Sequence, residues 1–406
     1  MGIRKVFEGI KVLEIGSGFA GPIASRYLAD HGATVVRLES KARPDHVRLL
    51  PPYKDNNSPN PDAALFFSCV NPNKLSVTIN LNYPKGVELV KRLVKWADIV
   101  NENYSPGALK KFGLCYEEFQ KTKPDLIMIS SCLQGQTGPH KDFTGFGGQG
   151  AALSGFNYWA GWPDGEPIGP AAVITDYLCP RMAASAIIGA LLYRKRTGKG
   201  MYLDLSQIEA AVVALSYPLL EYTANGRVMP RLGNCSMSAA PHNVFPCKGV
   251  DRWVAITVNS DDEWLRLRKV MGNPEWATAS ELDGVSGRLE HQDKLEEGIS
   301  LWTRNYTPHQ VMETCQKAGV RAGAVQDMAD LARDPQHASR GTFTTLDHPV
   351  IGPHPYYNVG FILSKAPRAL DTPSPLMGQH NSMVLRDILG ISDDDIAQLK
   401  AEEVLS

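Results

Sequence analysis

The chain has 406 residues, of which 43% are hydrophobic and 21% charged, and its formal net charge is −1. This length exceeds what one hydrophobic core usually fills, so we expect two domains. The near-zero charge disfavours nucleic acid and membrane surfaces as partners. No apolar run reaches the roughly 18 residues that a membrane-spanning helix needs, and the N-terminus lacks the apolar core of a signal peptide. The seven cysteines are scattered and never spaced C-x-x-C, which predicts a reducing, cytoplasmic location without a metal site or disulfide framework.

Residues 9–39 follow the order strand, glycine-rich turn, helix, strand and acid. A β-branched run over 10–15 leads into the turn at 16–21, the helical pattern stops at Gly32, and the second strand closes at Glu39. This order and spacing are those of a dinucleotide-binding fingerprint. Taken alone, the N-terminal unit is compatible with an NAD enzyme.

Strands and helices continue to alternate through the first half of the chain. The patterns predict strands at 75–81, 98–100, 126–130 and 202–205, and helices at 84–96 and 178–196, with an irregular glycine-rich stretch at 135–170. Such alternation is typical of an α/β fold with a Rossmann-like parallel sheet that helices cover on both faces.

The character of the sequence changes after the first half. We expect a large α/β domain over 1–223, a linker over 224–246 and a smaller α+β domain over 247–325. A return linker over 326–375 then leads to C-terminal helices over 376–406, which complete the large domain. A chain that crosses between two domains twice explains the two irregular segments.

Asp176 is the carboxylate with the most distinctive position. It lies immediately before the long helical pattern, and Pro180 follows where the first turn is expected. Aspartate is a favoured N-cap and proline is tolerated in a first turn, so a purely structural role is open. A carboxylate beside a glycine-rich stretch is also placed to attack an acyl group as a nucleophile.

An ordered set of short motifs extends along nearly the whole chain. Together they resemble the class III CoA-transferases (the CaiB/BaiF family), which include formyl-CoA transferase, carnitine CoA-transferase and 2-methylacyl-CoA racemase. The motifs are Ala20-Gly-Pro22, residues 28–33 before 35–39, Asn73-Lys74, residues 102–107 and 135–139, Asp176 with the helix ending at 194–200, residues 318–320 and 334–335, and residues 376–381.

The resemblance implies that the first loop meets coenzyme A, whose phosphates a helix N-terminus accepts as readily as those of NAD. Coenzyme A would enter as a thioester substrate, with no cofactor bound permanently. Asp176 would be the catalytic residue, and seven others would bind CoA. They are Phe19 and Ala20 in the cleft, Asn73 and Lys74 near the nucleotide, and Asn103, Tyr104 and Lys111 at the phosphates or pantetheine.

For the two lysines, a solvated surface role is an equal alternative. The basic residues Arg37, Lys41, Arg43 and Arg48 could help to bind phosphates or could form an ordinary exposed face.

The turn at 145–147 separates the two activities of the superfamily. Related racemases carry a histidine in a Gly-His-Asp turn there, because returning a proton to the opposite face needs a second acid/base group. Here the turn is Gly-Phe-Gly, which favours a transferase that moves CoA from a donor such as succinyl-CoA to a carboxylic acid. A racemase and a non-catalytic sister subunit remain the alternatives.

The acceptor acid is expected to be bulky or aryl-substituted. The segment 233–241 has a single glycine, unlike the mobile glycine run of formyl-CoA transferase relatives, and the aromatic cluster at 156–162 could line an acyl pocket or simply pack in a core. Among family members, the chain most resembles the subunits that activate benzylsuccinate in anaerobic toluene breakdown. The family also implies an interlocked dimer, either of identical chains or with a homologous subunit.

Overall fold

Six parallel strands form the central sheet of the computed structural model, which describes residues 5–56, 60–170, 173–367 and 370–406. The strands are β1 (Lys11–Ile15), β2 (Thr34–Glu39), β3 (Lys74–Thr78), β4 (Ile99–Glu102), β5 (Ile127–Cys132) and β6 (Met201–Ser206). They lie in the order β3-β2-β1-β4-β5-β6, and every neighbouring pair is parallel. This is the order of a doubly wound dinucleotide-binding sheet. The predicted α/β fold with a Rossmann-like parallel sheet is confirmed.

The central strands are apolar on both faces because helices cover both. Leu13 and Val100 belong to one buried cluster, while their neighbours Val12 and Ile99 belong to another. Successive side chains of a strand point to opposite faces, so each strand supplies both cores.

The helices end where local signals predict. The long helix Ile174–Thr197 stops at Gly198, which has a φ of 72°, a conformation that glycine adopts without strain. Ser206 caps the next helix by accepting a hydrogen bond from the N–H of Glu209. The helices in this part of the chain are Ala20–Ala29, Leu65–Val70, Pro84–Trp96, Tyr116–Phe119, Gly147–Leu153, Phe156–Trp159, Ile174–Thr197, Gln207–Ala214 and Ser216–Asn225, with 3-10 turns at His46–Leu49, Pro61–Ala63 and Lys110–Phe112.

The second part of the chain builds a three-stranded antiparallel sheet, followed by a hairpin. The sheet has the order β7 (His242–Pro246), β8 (Trp253–Thr257), β9 (Arg321–Ala324), and the hairpin pairs β10 (Phe343–His348) with β11 (Gly352–Tyr357). The helices here are Asp261–Val270, Val285–Glu290, Gln292–Thr303, Pro308–Lys317, Met328–Arg333, Pro335–Arg340, Asn381–Met383 and Asp393–Ala401, with a π-helical turn at Val384–Ile388 and 3-10 turns at Glu275–Thr278 and Ser280–Leu282. In the described ranges, no helix combines the length and apolarity needed to cross a membrane.

The chain divides into two compact units. The larger contains residues up to 157, 169–227 and 338–406, and the smaller contains 158–168 and 228–337. The chain therefore passes between the units four times, whereas the sequence predicted two crossings. The segment 158–168 joins the smaller unit because the Arg231 guanidinium donates hydrogen bonds to three of its carbonyl oxygens.

The predicted linkers also carry regular structure. Strand β7 lies inside the segment 224–246, and two short helices and the β10–β11 hairpin lie inside 326–375. These elements are short and their apolar residues show no clear period, which is why the sequence pattern did not reveal them.

Candidate active site

A cavity of about 830 Å³ lies at the carboxyl edge of the six-stranded sheet. Every strand of the sheet contributes a residue at its end or just beyond it. These residues are Ile15, Glu39, Ile79, Asn103, Cys132 and Gln207. Ligands of open α/β sheets bind at this edge, next to the point where the strand order reverses.

The glycine-rich loop of this edge is held by protein groups. The N–H of Ser17 donates to Asn103 Oδ1 at 2.9 Å, and the N–H of Gly18 donates to Asp45 Oδ1 at 2.9 Å. Asn103 Nδ2 donates back to the Ser17 carbonyl at 2.7 Å. A Cβ at Gly16 would lie 2.4 Å from Asn103 Oδ1, so the packing needs glycine there. Two N–H groups of the kind that bind pyrophosphate in dinucleotide sites are therefore already in use.

Glu39, the acid of the fingerprint, is also hydrogen-bonded within the protein. It accepts hydrogen bonds from Arg48 Nε at 2.8 Å, Arg48 Nη2 at 2.9 Å and Ser76 Oγ at 2.9 Å. Burial opposes ionisation of this carboxylate, but Arg37 and Arg48 outweigh burial and keep the pKa of Glu39 below its ordinary value. A carboxylate bound in this way is not free to bind the ribose of NAD.

Asp176 lies in the first turn of the helix Ile174–Thr197, whose N-cap is Val173. The interpretation of Asp176 as the N-cap is therefore wrong. It assumed that Pro180 lies in the first turn, whereas the structure places Pro180 further inside the helix.

The Asp176 side chain lines the cavity and is 9% exposed. Within the described part of the chain, no group donates a hydrogen bond to its carboxylate. Burial without a compensating partner disfavours the charged form, and it raises the pKa of Asp176 to about 6. This carboxylate is therefore an available, weakly solvated acceptor or nucleophile.

Gly147 makes room for this carboxylate. It begins the helix Gly147–Leu153, and a Cβ there would lie 2.3 Å from Asp176 Oδ2 and 2.7 Å from Val173 Cβ. At the next position, Gly148, a Cβ would meet no heavy atom within 4 Å. The sequence pattern of this stretch is irregular, and it marks Gly147 only as the last residue of the Gly-Phe-Gly turn, without a role beside Asp176.

The sequence also matches known proteins, which identify the family of the chain. Residues 7–381 match the family model described as CoA-transferase family III. The chain belongs to CoA-transferase family III. It is an enzyme of that class, as the motifs predicted.

Two relatives and one solved structure match over nearly the whole chain. This chain is 35% identical over 398 residues to a succinyl-CoA–D-citramalate CoA-transferase of Chloroflexus aurantiacus, and the alignment covers 98% of each chain. It is 32% identical over 399 residues to the alpha subunit of a succinyl-CoA–L-malate CoA-transferase of Chloroflexus aurantiacus, covering 98% of this chain and 92% of the relative. A CaiB/BaiF family protein from Brucella suis aligns with a TM-score of 0.86 at 28% identity, covering 95% of this chain and all of the other.

The cavity of the enzyme contains five of the eight predicted site residues. They are Phe19, Asn103, Tyr104, Lys111 and Asp176. Ala20 lies at the start of the helix Ala20–Ala29 and is almost fully buried, in a small cluster with Cys179 and Ala210. Ala20 therefore packs behind the cavity wall and is not itself one of the lining residues.

Asn73 and Lys74 are not among the described residues that line the cavity. Lys74 Nζ is buried and donates to Glu14 Oε2 at 2.8 Å and to the Pro22 carbonyl at 2.7 Å. Burial lowers the pKa of Lys74 to about 8, although the Glu14 carboxylate opposes this change. Asn73 Nδ2 donates to Asp30 Oδ1 at 2.9 Å. The structure thus gives both side chains partners inside the protein.

The predicted basic cluster divides into buried and exposed members. Arg37 and Arg48 are fully buried and ion-paired, so they form neither a solvated face nor a mobile phosphate clamp. Arg43 is exposed and lines the cavity, together with Lys111 and with Lys141, which was not among the predicted site residues. No pattern in the sequence distinguished Lys141 from other surface lysines.

None of the described residues of the aromatic segment 156–162 lines this cavity. Tyr158 and Trp162 lie in the smaller unit, where Arg231 donates to both of their carbonyl oxygens. The aromatic side chains in the cavity wall include the exposed Phe143 and Phe146.

Proposed function

We propose that the enzyme moves CoA from succinyl-CoA to a dicarboxylic acid through covalent intermediates on Asp176. The observation that carries this proposal is the buried Asp176 carboxylate, which faces the cavity, receives no hydrogen bond from the described residues and lies against Gly147. The two named relatives support the donor and the acceptor class, since both use succinyl-CoA and their acids, citramalate and malate, have two carboxylates.

The first half-reaction transfers CoA to the enzyme. An Asp176 carboxylate oxygen attacks the thioester carbonyl of succinyl-CoA, the carbon–sulfur bond breaks, and a mixed anhydride and CoA thiolate form. The thiolate then attacks the aspartyl carbonyl of the anhydride. Succinate leaves as a carboxylate, and an aspartyl-CoA thioester remains. No net proton is taken up or released.

The second half-reaction is the reverse sequence with the acceptor. The acceptor carboxylate attacks the aspartyl-CoA thioester and displaces the thiolate, which gives a new mixed anhydride. The thiolate attacks the acceptor carbonyl of that anhydride, so the product acyl-CoA forms and the Asp176 carboxylate is restored. Anhydride and thioester are similarly activated, so the acyl transfer potential is conserved at each step.

The environment of Asp176 suits this chemistry. Few water molecules can reach a carboxylate that is 9% exposed, which limits hydrolysis of the anhydride. Burial raises the pKa of Asp176 to about 6. The carboxylate is still mostly ionised at neutral pH, so the mechanism needs no separate base.

We assign the CoA phosphates to the exposed cations at the cavity, Arg43, Lys111 and Lys141. Phosphate groups bind such side chains by charge-assisted hydrogen bonds. Asn103 and Tyr104 line the same cavity as Lys111 and are assigned to the pantetheine. The bulky or aryl acceptor, such as benzylsuccinate, stays a prediction, and benzylsuccinate is itself a substituted dicarboxylic acid.

Chemical trapping tests the mechanism. The enzyme is incubated with succinyl-CoA and borohydride, which reduces an aspartyl-CoA thioester to an alcohol, and its peptides are analysed by mass spectrometry. We expect a single mark at Asp176 that is absent without succinyl-CoA and in the Asp176→Asn variant. Full transfer activity with an unmarked Asp176 would refute the proposal. Exchange of solvent deuterium into the acyl α-carbon would instead indicate the racemase.

We also propose that the enzyme works as a dimer, with a second copy or with a homologous chain. Apolar side chains of consecutive helices in the larger unit are exposed, among them Leu192, Val213, Tyr217 and Leu220, and such a patch marks an interaction surface. One relative is named as a subunit of a heteromer. Light scattering on the purified chain checks this assembly, and a stable monomer with full activity would contradict it.

A further inference from the structure

His46 is a half-buried imidazole in the cavity wall that has no role in the proposed mechanism. It begins the 3-10 turn His46–Leu49 and packs on the glycine-rich loop, where a Cβ at Gly18 would lie 2.8 Å from its Cε1. Nδ1 lies 3.0 Å from Ser17 Oγ. Nε2 has no hydrogen-bond partner among the described residues, and it is not one of their unpartnered atoms that are closed to solvent. The fold therefore uses one nitrogen of this ring and leaves the other open.

The hydrogen bonds around Ser17 determine which ring nitrogen carries the proton. The Ser17 hydroxyl donates its single proton to Asp45 Oδ1 at 2.8 Å. This carboxylate is ion-paired with Arg37 and can only accept. Ser17 Oγ can therefore only accept from His46, so Nδ1 carries the hydrogen, and Asp45 Oδ1, 3.6 Å from Nδ1, is too far away to be its partner. In the neutral ring, Nε2 is then an acceptor with a free lone pair.

This arrangement differs from that of a nucleophilic serine. In a catalytic triad the imidazole takes the proton of the serine hydroxyl, whereas here the Ser17 proton goes to Asp45 and the imidazole donates to Ser17. Ser17 is therefore not activated, and the cluster does not support hydrolase chemistry. The free Nε2 of His46 instead suits a ligand that presents an N–H or O–H group.

The position of His46 indicates which part of the ligand reaches it. The ring contacts Phe146, with centroids 5.4 Å apart, and Phe146 directly precedes Gly147, which lies against Asp176. Arg43 lines the same cavity three residues before His46, so the two Cα atoms are at most about 11 Å apart. His46 is thus linked on one side to the reacting carboxylate and on the other to a cation assigned to the CoA phosphates.

We infer that His46 Nε2 accepts a hydrogen bond from the pantetheine arm of CoA. This arm joins the phosphates to the thioester, and it presents two amide N–H groups and one hydroxyl. An ionised dicarboxylic acid without further substituents presents no donor, so it does not suit Nε2. This inference rests on the proposed CoA transfer and adds a CoA-binding residue to it.

The test uses two substitutions of His46 that keep different halves of the imidazole. The side-chain amide nitrogen of asparagine can take the place of Nδ1 and donate to Ser17, but asparagine has no atom at the position of Nε2. Glutamine places its amide at the position of Nε2 and can present the oxygen as an acceptor, but it does not replace Nδ1. Both variants lose the ring contact with Phe146, so the contrast between them isolates Nε2.

Calorimetry measures the affinity for free CoA at about pH 8, where imidazole groups are ordinarily neutral. We expect Kd to rise about three- to tenfold in His46→Asn, as loss of one neutral hydrogen bond implies, and to stay within about twofold of the wild type in His46→Gln. The wild type and both variants should bind 3′-phospho-ADP, which is CoA without the pantetheine arm, equally well. Equal binding of this nucleotide also shows that the variants are folded.

A matched control is His309→Asn in the smaller unit. His309 belongs to the helix Pro308–Lys317 and is not among the described residues that line the cavity. We expect this variant to bind CoA with the Kd of the wild type.

Four outcomes overturn the inference. A Kd for CoA within twofold of the wild type in His46→Asn would show that Nε2 does not bind CoA. Weaker binding by His46→Gln than by His46→Asn would show that the ring acts through its bond to Ser17. An equal loss of affinity for 3′-phospho-ADP would place the donor in the nucleotide. A wild type that does not bind CoA would refute the proposed function as well, which distinguishes that failure from the other three.

Discussion

Replacing Asp176 with asparagine should stabilise the enzyme, and by an amount that grows with pH. Burial raises the pKa of Asp176 to about 6 from its ordinary 3.8. The folded state therefore favours the protonated form, and stability is lost as pH rises from the ordinary value through the folded value. The two pKa values differ by about 2, and each pKa unit corresponds to about 1.4 kcal/mol, so the ionised carboxylate costs about 3 kcal/mol at neutral pH.

Urea unfolding of the wild type and of Asp176→Asn over a series of pH values measures this cost. The variant's advantage in free energy of unfolding should increase by about 2 kcal/mol between about pH 4.5 and about pH 7.5. Other buried acids, such as Glu102, whose pKa burial raises to about 7, titrate in both proteins and cancel in the difference. The exposed Asp142→Asn variant controls for the loss of one negative charge. A difference that stays constant with pH, or shrinks, would refute the assignment of Asp176 as a desolvated carboxylate.

The remaining predictions concern the same cavity and its support. Gly147→Ala places a Cβ 2.3 Å from Asp176 Oδ2, so the rate of steady-state transfer should fall at least about tenfold and the free energy of unfolding by about 1–3 kcal/mol. The control is Gly148→Ala, whose Cβ would meet no heavy atom within 4 Å and which should change neither quantity. Lys74→Met leaves the buried Glu14 carboxylate without its lysine partner and should lower the free energy of unfolding by about 3–5 kcal/mol. Urea unfolding checks this, and unaltered stability would contradict it. Lys111→Ala should weaken CoA binding a few-fold in calorimetry, less so at high salt, with unchanged stability. The kcat/KM for transfer should fall about tenfold per pH unit below about pH 6, because protonated Asp176 is not a nucleophile.

The sheet and most long elements could be predicted because their signals are local. A β-strand that is buried on both faces reads as a continuous apolar run, and glycine marks the end of the long helix at 198. The smaller unit was harder to delimit. Its segment 158–168 is tied to Arg231, about seventy residues further on, and no periodicity within the segment shows that connection.

The placement of charged side chains could be predicted least. Lys74 opens a strand in the sequence and resembles a surface or ligand-binding lysine, yet in the fold its ammonium group is fully enclosed beside Glu14. Charge alone does not distinguish an exposed lysine from a buried one, because a buried lysine needs an acidic partner, and here a different strand supplies it. The carboxylate of Asp176 was identified through family motifs, but its raised pKa follows from its burial, with no donor to it among the described residues, and only the fold shows this environment.

The N-terminal fingerprint shows how far a motif determines function. Its spacing specifies a tight turn between a strand and a helix, and the structure has that turn. Whether the N–H groups of the turn are free to bind phosphate depends on Asn103 and Asp45, which lie 86 and 27 residues away from the N–H groups that they bind. Those two side chains accept hydrogen bonds from the N–H groups of Ser17 and Gly18. Arg48 donates to Glu39, the acid that would otherwise bind ribose. The same local sequence therefore builds the same turn in either case, and residues remote from the motif determine whether its N–H groups are free to bind a phosphate.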